Sequence, residues 1–301
     1  MSSPDSAPPA LARAEIDRSA AEREDPGLLD RLRADPSTRV LLVSRDQAPI
    51  ARSGGPAWTT PDDAPADAEW ALLGRAGDGA ALVAAVIAGD PPPVADAEWA
   101  GLRTVGADLS AEDAGAFVTA VALGRWLRDA PHCPACGERT VIEQAGWSRR
   151  CPSCGRQHFP RTDPAVIVAV TSAVDPDRLL LGSNAMWGGS RYSCFAGFVE
   201  AGESLEQAVH REVEEEAGVE VAGLDYRGSQ AWPYPRSLMV GFLARAEDDA
   251  AARPDGEEIL DVRWFTRDEI GAGLRGEGPV GLPGPASIAH GLIAQWYAGR
   301  A

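Results

Sequence analysis

Between Gly197 and Val219 the chain concentrates carboxylates on one short helix, and the side of that helix they occupy limits what it can fold into. Ser204 followed by Gln207 is a capping box that starts a helix, and Gly218 is placed to end it in the left-handed conformation, so the spacing predicts a helix from Leu205 to Ala217. At 3.6 residues per turn Leu205, Val209 and Val213 form an apolar stripe. Glu212 and Glu216 fall inside that stripe, Glu215 lies at its edge, and Glu214 points to the opposite side. Two inward carboxylates repel each other and lose hydration, at a cost of roughly several kcal/mol unless something offsets it. A divalent cation is the natural offset, and hard oxygen ligands suit Mg²⁺ or Mn²⁺. The plain alternative is a solvated acidic face.

A second feature is independent of the first. Cys133, Cys136, Cys151 and Cys154 form two CxxC pairs separated by 14 residues, each pair followed by Gly. Four thiolates in tight knuckles suit one tetrahedral structural Zn²⁺. His132 and His158 flank them and are expected at the surface, and Cys194 is expected as a small core residue.

The glutamate segment fills every fixed position of Gx5Ex7REUxEExGU, where U is a bulky apolar residue, and so resembles the signature of the Nudix hydrolases. The resemblance implies an α-β-α sandwich in which a loop and this helix present the metals. It gives Glu212, Glu215 and Glu216 as cation ligands, Arg211 as a partner that holds Glu203, and Gly197 and Gly202 as residues that allow the tight loop. Further on, Ser229-Gln-Ala-Trp-Pro-Tyr-Pro-Arg-Ser237 sets prolines on both sides of an aromatic. Such a stretch cannot sit in a central strand, so it is expected as an edge or rigid loop presenting aromatic faces and Gln230.

SQxWPxPxS after such a box is similar to the NADH pyrophosphatase, or NAD(H) diphosphatase, branch of the family, apart from Ala231 where members often carry Pro. That branch has a zinc ribbon before the catalytic domain and a divergent domain before the ribbon. The fold class expected is therefore α+β: an N-terminal mixed α/β, degenerate Nudix-like domain at residues 1–130, a ribbon at 131–160, and a catalytic Nudix domain at 161–301. The resemblance implies Phe198 stacking on nicotinamide, with Phe159 from this subunit or its partner completing the sandwich. It also implies substrate contacts from Gln230, Trp232 and the backbone of Ala289, and a further metal ligand, Glu258 in preference to Glu257. Two or three Mg²⁺ or Mn²⁺ ions, a homodimer, and cleavage of NAD(H) to AMP and nicotinamide mononucleotide follow from it, with Glu215 or Glu216 as base. Removal of NAD caps from RNA, hydrolysis of ADP-ribose or a triphosphate, and a non-catalytic nucleotide sensor are the rival readings.

Composition narrows the field further. The 28 basic residues are all Arg, which excludes Schiff-base enzymes and P-loop NTPases, since both need a lysine. The net charge of −17 disfavours tight binding to bare nucleic acid. No apolar run approaches the roughly 18 residues needed to span a bilayer, and a cytosolic protein is expected. Strands are expected at Val40–Val43, Ala80–Ala88, Ala165–Val170, Leu179–Leu181, Tyr192–Ala196, Ser229–Trp232, Leu238–Ala244 and Asp261–Phe265. Helices are expected at Ala111–Leu127, capped by Ser110, and Ser287–Tyr297. The N-terminal region carries no catalytic constellation and reads as a scaffold or dimerisation element.

Overall fold

The computed structural model describes residues 8–299. They form two compact units. One comprises residues 13–162 with 233–236; the other comprises the described parts of 1–12, 163–232 and 237–301.

The first unit runs α1 (Leu28–Ala34), β1 (Arg39–Ser44), β2 (Gln47–Ala51), β3 (Glu69–Arg75), β4 (Ala81–Ile87), β5 (Ala97–Gly101), α2 (Leu102–Val105) and α3 (Ala111–Asp129). Its sheet has the order β3-β4-β1-β2-β5, with β1 parallel to β4 and the other pairs antiparallel. Period-two alternation gives this sheet two buried faces. Val40, Leu42, Val83 and Ala85 join Leu28 and Leu32 of α1 in one cluster. On the other face Val43 and Val86 lie against Gly124 of α3, where a methyl group would come within 3.4 Å of Val86. Ser110 caps α3 as expected, accepting from the Asp113 amide at 3.0 Å.

The cysteine module adds β6 (Val141–Glu143), β7 (Ser148–Arg150) and β8 (Gln157–His158) as a small antiparallel sheet. It belongs to the same unit because its side chains enter that unit's core. Gln144 and Ala145 take positive φ values of 48° and 50°, a costly conformation for residues with a Cβ. Packing compensates: Ala145 is buried beside Trp70 and Leu72, and the Trp147 indole donates to the Leu72 carbonyl at 2.7 Å. Arg149 is fully buried, donating to the Leu127 carbonyl at 2.5 Å and pairing with Glu69 at 3.2 Å.

The second unit contains β9 (Asp163–Thr171), β10 (Arg178–Asn184), β11 (Phe195–Phe198), α4 (Leu205–Ala217), β12 (Val221–Trp232), β13 (Ser237–Ala246), β14 (Ile259–Thr266), α5 (Arg267–Leu274) and α6 (Ile288–Tyr297). The sheet order is β12-β13-β9-β10-β14, with β11 also on β9. Along β9 the side chains alternate between two cores. Val166, Val168 and Val170 pack with Ala208, Val209 and Val213 of α4. Ile167 and Ala169 pack with Ile288, Leu292, Ile293 and Trp296 of α6. This is the α-β-α sandwich, and the whole chain is α+β.

Two expectations need correction here. The strand expected at Tyr192–Ala196 runs instead from Phe195 to Phe198, because Ser193 makes only a single bridge to Gly182 before β11 takes its register on β9. β12 is an edge strand and the prolines lie in the turn that follows it, yet the motif does not present Gln230. That residue is 1% exposed, accepts from the Leu11 amide at 3.5 Å and donates to the Ala286 carbonyl at 3.1 Å. Nor is the Tyr234 ring free: Arg103 lies 3.8 Å and Arg125 5.3 Å from its centroid.

Candidate active site

The capping box sets where α4 begins. Ser204 accepts from the Gln207 amide at 3.2 Å while Gln207 accepts from the Ser204 amide at 2.8 Å, and Gly218 ends the helix at φ 66°. With the start fixed, the phase of the carboxylates follows. Glu216 is 6% exposed and the Glu212 side chain 13%, whereas the Glu215 side chain is 60% exposed.

Arg211 organises the loop before the helix. Its guanidinium forks onto Glu203 at 2.7 and 2.9 Å, and also donates to Glu212 at 2.7 Å, Glu215 at 3.0 Å and the Phe198 carbonyl at 2.9 Å. This pairing holds the Glu203 carboxyl down at about 2. Glu216 lacks such a partner. Among the described residues its carboxylate accepts only from the Ala196 amide at 3.2 Å, and burial, reinforced by the charges of Glu258, Glu212 and Asp255, pushes it up to about 8. Burial likewise raises Glu212, against the pull of Arg211.

Glu258 joins this cluster from the start of β14. Its side chain accepts from Asn184 at 3.2 Å, and its carbonyl accepts from the Ala185 amide at 2.8 Å. Sequence reasoning missed the residue that places it. One Asp255 oxygen accepts from the amides of Glu257, Glu258 and Ile259 at 2.8, 3.0 and 2.9 Å, fixing the turn from which Glu258 projects. An Asp-Gly pair just before a strand was the available signal. The cluster suits a divalent cation: oxygen donors only, two of them buried, and no cationic side chain on Glu216. Glu212, Glu216 and Glu258 are the residues that could hold it, with Glu215 more exposed on the same helix.

Gly197 is needed for a reason other than loop flexibility. A Cβ there would fall 1.9 to 2.1 Å from the Glu212 carboxylate atoms. Gly202, by contrast, has φ 101° and serves the turn. Gly197→Ala is therefore expected to swing the flexible Glu212 side chain out of the cluster, lowering kcat about 100-fold with little change in melting temperature. Steady-state kinetics beside a melting curve checks it.

The buried carboxylates also set a pH dependence. Without Mg²⁺ or Mn²⁺, folded Glu216 keeps its proton up to about pH 8, whereas an unfolded glutamate loses it near 4.5. Folding then binds a proton throughout that interval, so this stability is complete below the lower value and is lost as pH rises through the upper one. Zinc-loaded protein dialysed free of other divalent ions should melt at a lower temperature at pH 8 than at pH 5.5. Added Mn²⁺ should restore more at pH 8, which scanning fluorimetry measures.

The other predicted residues lie as follows. Phe198 ends β11 with its ring 51% exposed, and Phe159 follows β8 in the other unit with 44% exposed. Trp232 is half-buried at the end of β12. Ala289 is buried in the α6 core. Cys194 is buried, its thiol pushed up to about 12.

The four ribbon sulfurs converge within 4.8 Å of one another, with Cys133–Cys154 at 3.7 Å and Cys136–Cys151 at 3.4 Å. Tetrahedral zinc with thiolate bonds near 2.3 Å places sulfurs about 3.8 Å apart, so the set fits the metal. Gly137 and Gly155 take φ values of 79° and 73° as the knuckles close. Of the flanking histidines, His132 is exposed, while His158 is half-buried, contrary to its expected place at the surface.

Residues 161–281 match the NUDIX domain, and a sandwich carrying this glutamate helix defines a Nudix hydrolase. Residues 128–159 match the NADH pyrophosphatase zinc ribbon domain, and 35–126 the NADH pyrophosphatase-like rudimentary NUDIX domain. The chain is 38% identical over 312 residues to NAD-capped RNA hydrolase NudC of Mycobacterium tuberculosis (strain ATCC 25618 / H37Rv), covering 96% of this chain and 95% of the relative. It is also 38% identical over 210 residues to the protein of the same description from Stutzerimonas stutzeri (strain A1501), covering 70% and 71%. A NUDIX hydrolase structure from Nitrosomonas europaea aligns at 24% identity and a TM-score of 0.44, over 56% of this chain and 91% of that one. The chain belongs to the zinc-ribbon NADH pyrophosphatase branch of the Nudix hydrolases.

Proposed function

We propose that the protein hydrolyses the diphosphate of NAD(H), releasing AMP and nicotinamide mononucleotide, with Mg²⁺ or Mn²⁺ at the carboxylate cluster. The observation that carries this reading is a helix that turns Glu212 and Glu216 inward, with no cation on Glu216 and the charge of Glu258 bearing on both, in a chain matched across three regions to that branch. When bound, two or three divalent ions supply charge neutralisation on the diphosphate and a more acidic water. Glu212, Glu215, Glu216 and Glu258 hold them. Arg211, locked on Glu203, fixes the loop and the Phe198 carbonyl. Glu215 or Glu216 accepts the proton of the water that attacks one phosphorus; the bridging P–O bond breaks, and the second mononucleotide leaves.

Phe198 stacks on the nicotinamide ring, and Trp232 and the Ala289 backbone add substrate contacts. Gln230 acts from beneath, by holding Leu11 and Ala286 in place. The full-length relatives named for NAD-capped RNA favour a second substrate, the same diphosphate at an RNA 5′ end. The protein works as a homodimer in the cytoplasm; no helix among the described residues is long and apolar enough to cross a membrane. Comparing kcat/KM for NADH, NAD⁺, NAD-capped RNA, ADP-ribose and a nucleoside triphosphate tests the assignment. NADH or the capped RNA should lead; preference for ADP-ribose or the triphosphate would overturn it.

A further inference from the structure

One segment on the rim of the cluster has no role in the account so far. After Asn184, whose side chain donates to Glu258, the chain makes the turn Ala185–Trp187 and then passes through Gly188 and Gly189, both with positive φ of 73° and 71°. The Asn184 side chain caps the turn by accepting from the Met186 amide at 3.0 Å, so its start is anchored to the same glutamate whose charge bears on Glu212 and Glu216. Beyond that anchor the loop carries two large apolar side chains outward: Met186 is 88% exposed and Trp187 38%. Arg191 sits 5.5 Å from the centroid of the Trp187 ring. In a chain with 45 acidic residues, the stretch from Ala185 to Arg191 contains none.

An exposed tryptophan beside an arginine, free of carboxylates and tethered to a diphosphate-cleaving site, is the chemistry that stacks a base and tolerates its phosphate. Reach agrees. Trp187 is three positions beyond Asn184, which places its Cα within about 11 Å of the anchor's Cα, the scale of a nucleotide between its phosphate and its base. A dinucleotide offers two rings, and Phe198 is assigned to one of them.

We infer that Trp187, with Met186 beside it and Arg191 behind it, is the platform for the adenine ring of the AMP half of the substrate. The inference rests on the proposed NAD(H) reading. Because the loop lies outside both cores, changing Trp187 leaves the fold and the carboxylate cluster untouched.

The test compares wild type, Trp187→Ala and Trp187→Phe in the full-length, zinc-loaded protein with Mg²⁺, measuring NADH hydrolysis and product inhibition by AMP and by nicotinamide mononucleotide. In Trp187→Ala, inhibition by AMP should weaken about tenfold and KM for NADH should rise about tenfold, with kcat within about threefold. Inhibition by nicotinamide mononucleotide should not change, and Trp187→Phe should recover most of the loss. Unaltered AMP inhibition in Trp187→Ala overturns the platform while wild-type hydrolysis of NADH leaves the reaction standing. Weakened inhibition by the nicotinamide product instead assigns the loop to the other ring and also overturns it. If wild type releases no AMP from NADH, the underlying reading fails, and the inference falls with it.

Discussion

Glu216→Gln is expected to lower kcat/KM for NADH by at least about 1,000-fold while leaving the fold intact. The reason is the environment of the side chain. Glu216 is buried on the inner face of α4, accepts from the Ala196 amide, and has no cation beside it. Glutamine keeps the shape and that hydrogen bond but removes the charge that a divalent ion requires. It also removes the burden that raises this carboxyl to about 8, so the variant without added divalent ions should melt higher than wild type at pH 8. Lost activity with gained stability marks a residue held against the preference of the fold. Glu214→Gln is the contrast, since Glu214 is exposed on the same helix and its loss should change neither quantity appreciably.

Losing zinc should act on the other unit. Cys151 is fully buried, and Cys151→Ser breaks a four-thiolate site of the kind whose metal supplies roughly 10 kcal/mol or more of folding free energy. The ribbon is built into its unit through Arg149 on Leu127 and Glu69, Trp147 on Leu72, and Ala145 within the core. Without metal the ribbon no longer braces the packing that offsets the positive φ of Gln144 and Ala145, so the loss should spread to β3 and the end of α3. Hydrogen exchange of Cys151→Ser should therefore show deprotection across β6–β8, β3 and α3. The amides of β9 and α4, in the unit with its own two cores, should stay protected. Protection confined to its wild-type pattern throughout would show that the ribbon is not needed to stabilise this unit.

Local chemistry explains what could be read from the sequence. The bounds of α4, its capping box and its left-handed stop are all encoded within the segment, so the phase of Glu212, Glu215 and Glu216 followed from counting. The Arg211–Glu203 pair and the four converging cysteines came from spacing together with family resemblance. Contacts between distant segments were not legible. Nothing near Gln230 in sequence says that Leu11 and Ala286 will take its amide, and the motif that contains it suggested exposure. Asn184 acquires meaning only once β14 and β10 pair, because it acts on Glu258 across that pairing. The motif gives Gly197 a place in a tight loop, whereas its need for no side chain comes from Glu212, 15 residues away. The parallel pairing of β1 with β4 is likewise beyond local pattern, since alternation gives a strand two faces but names no neighbour.

The most direct test of the central claim is to separate the products formed when the zinc-loaded protein meets NADH, with and without Mg²⁺ or Mn²⁺. The account predicts AMP and nicotinamide mononucleotide in equal amounts, formed only with the added cation and lost in Glu216→Gln. Release of free nicotinamide with ADP-ribose, or undiminished turnover by Glu216→Gln, would contradict it.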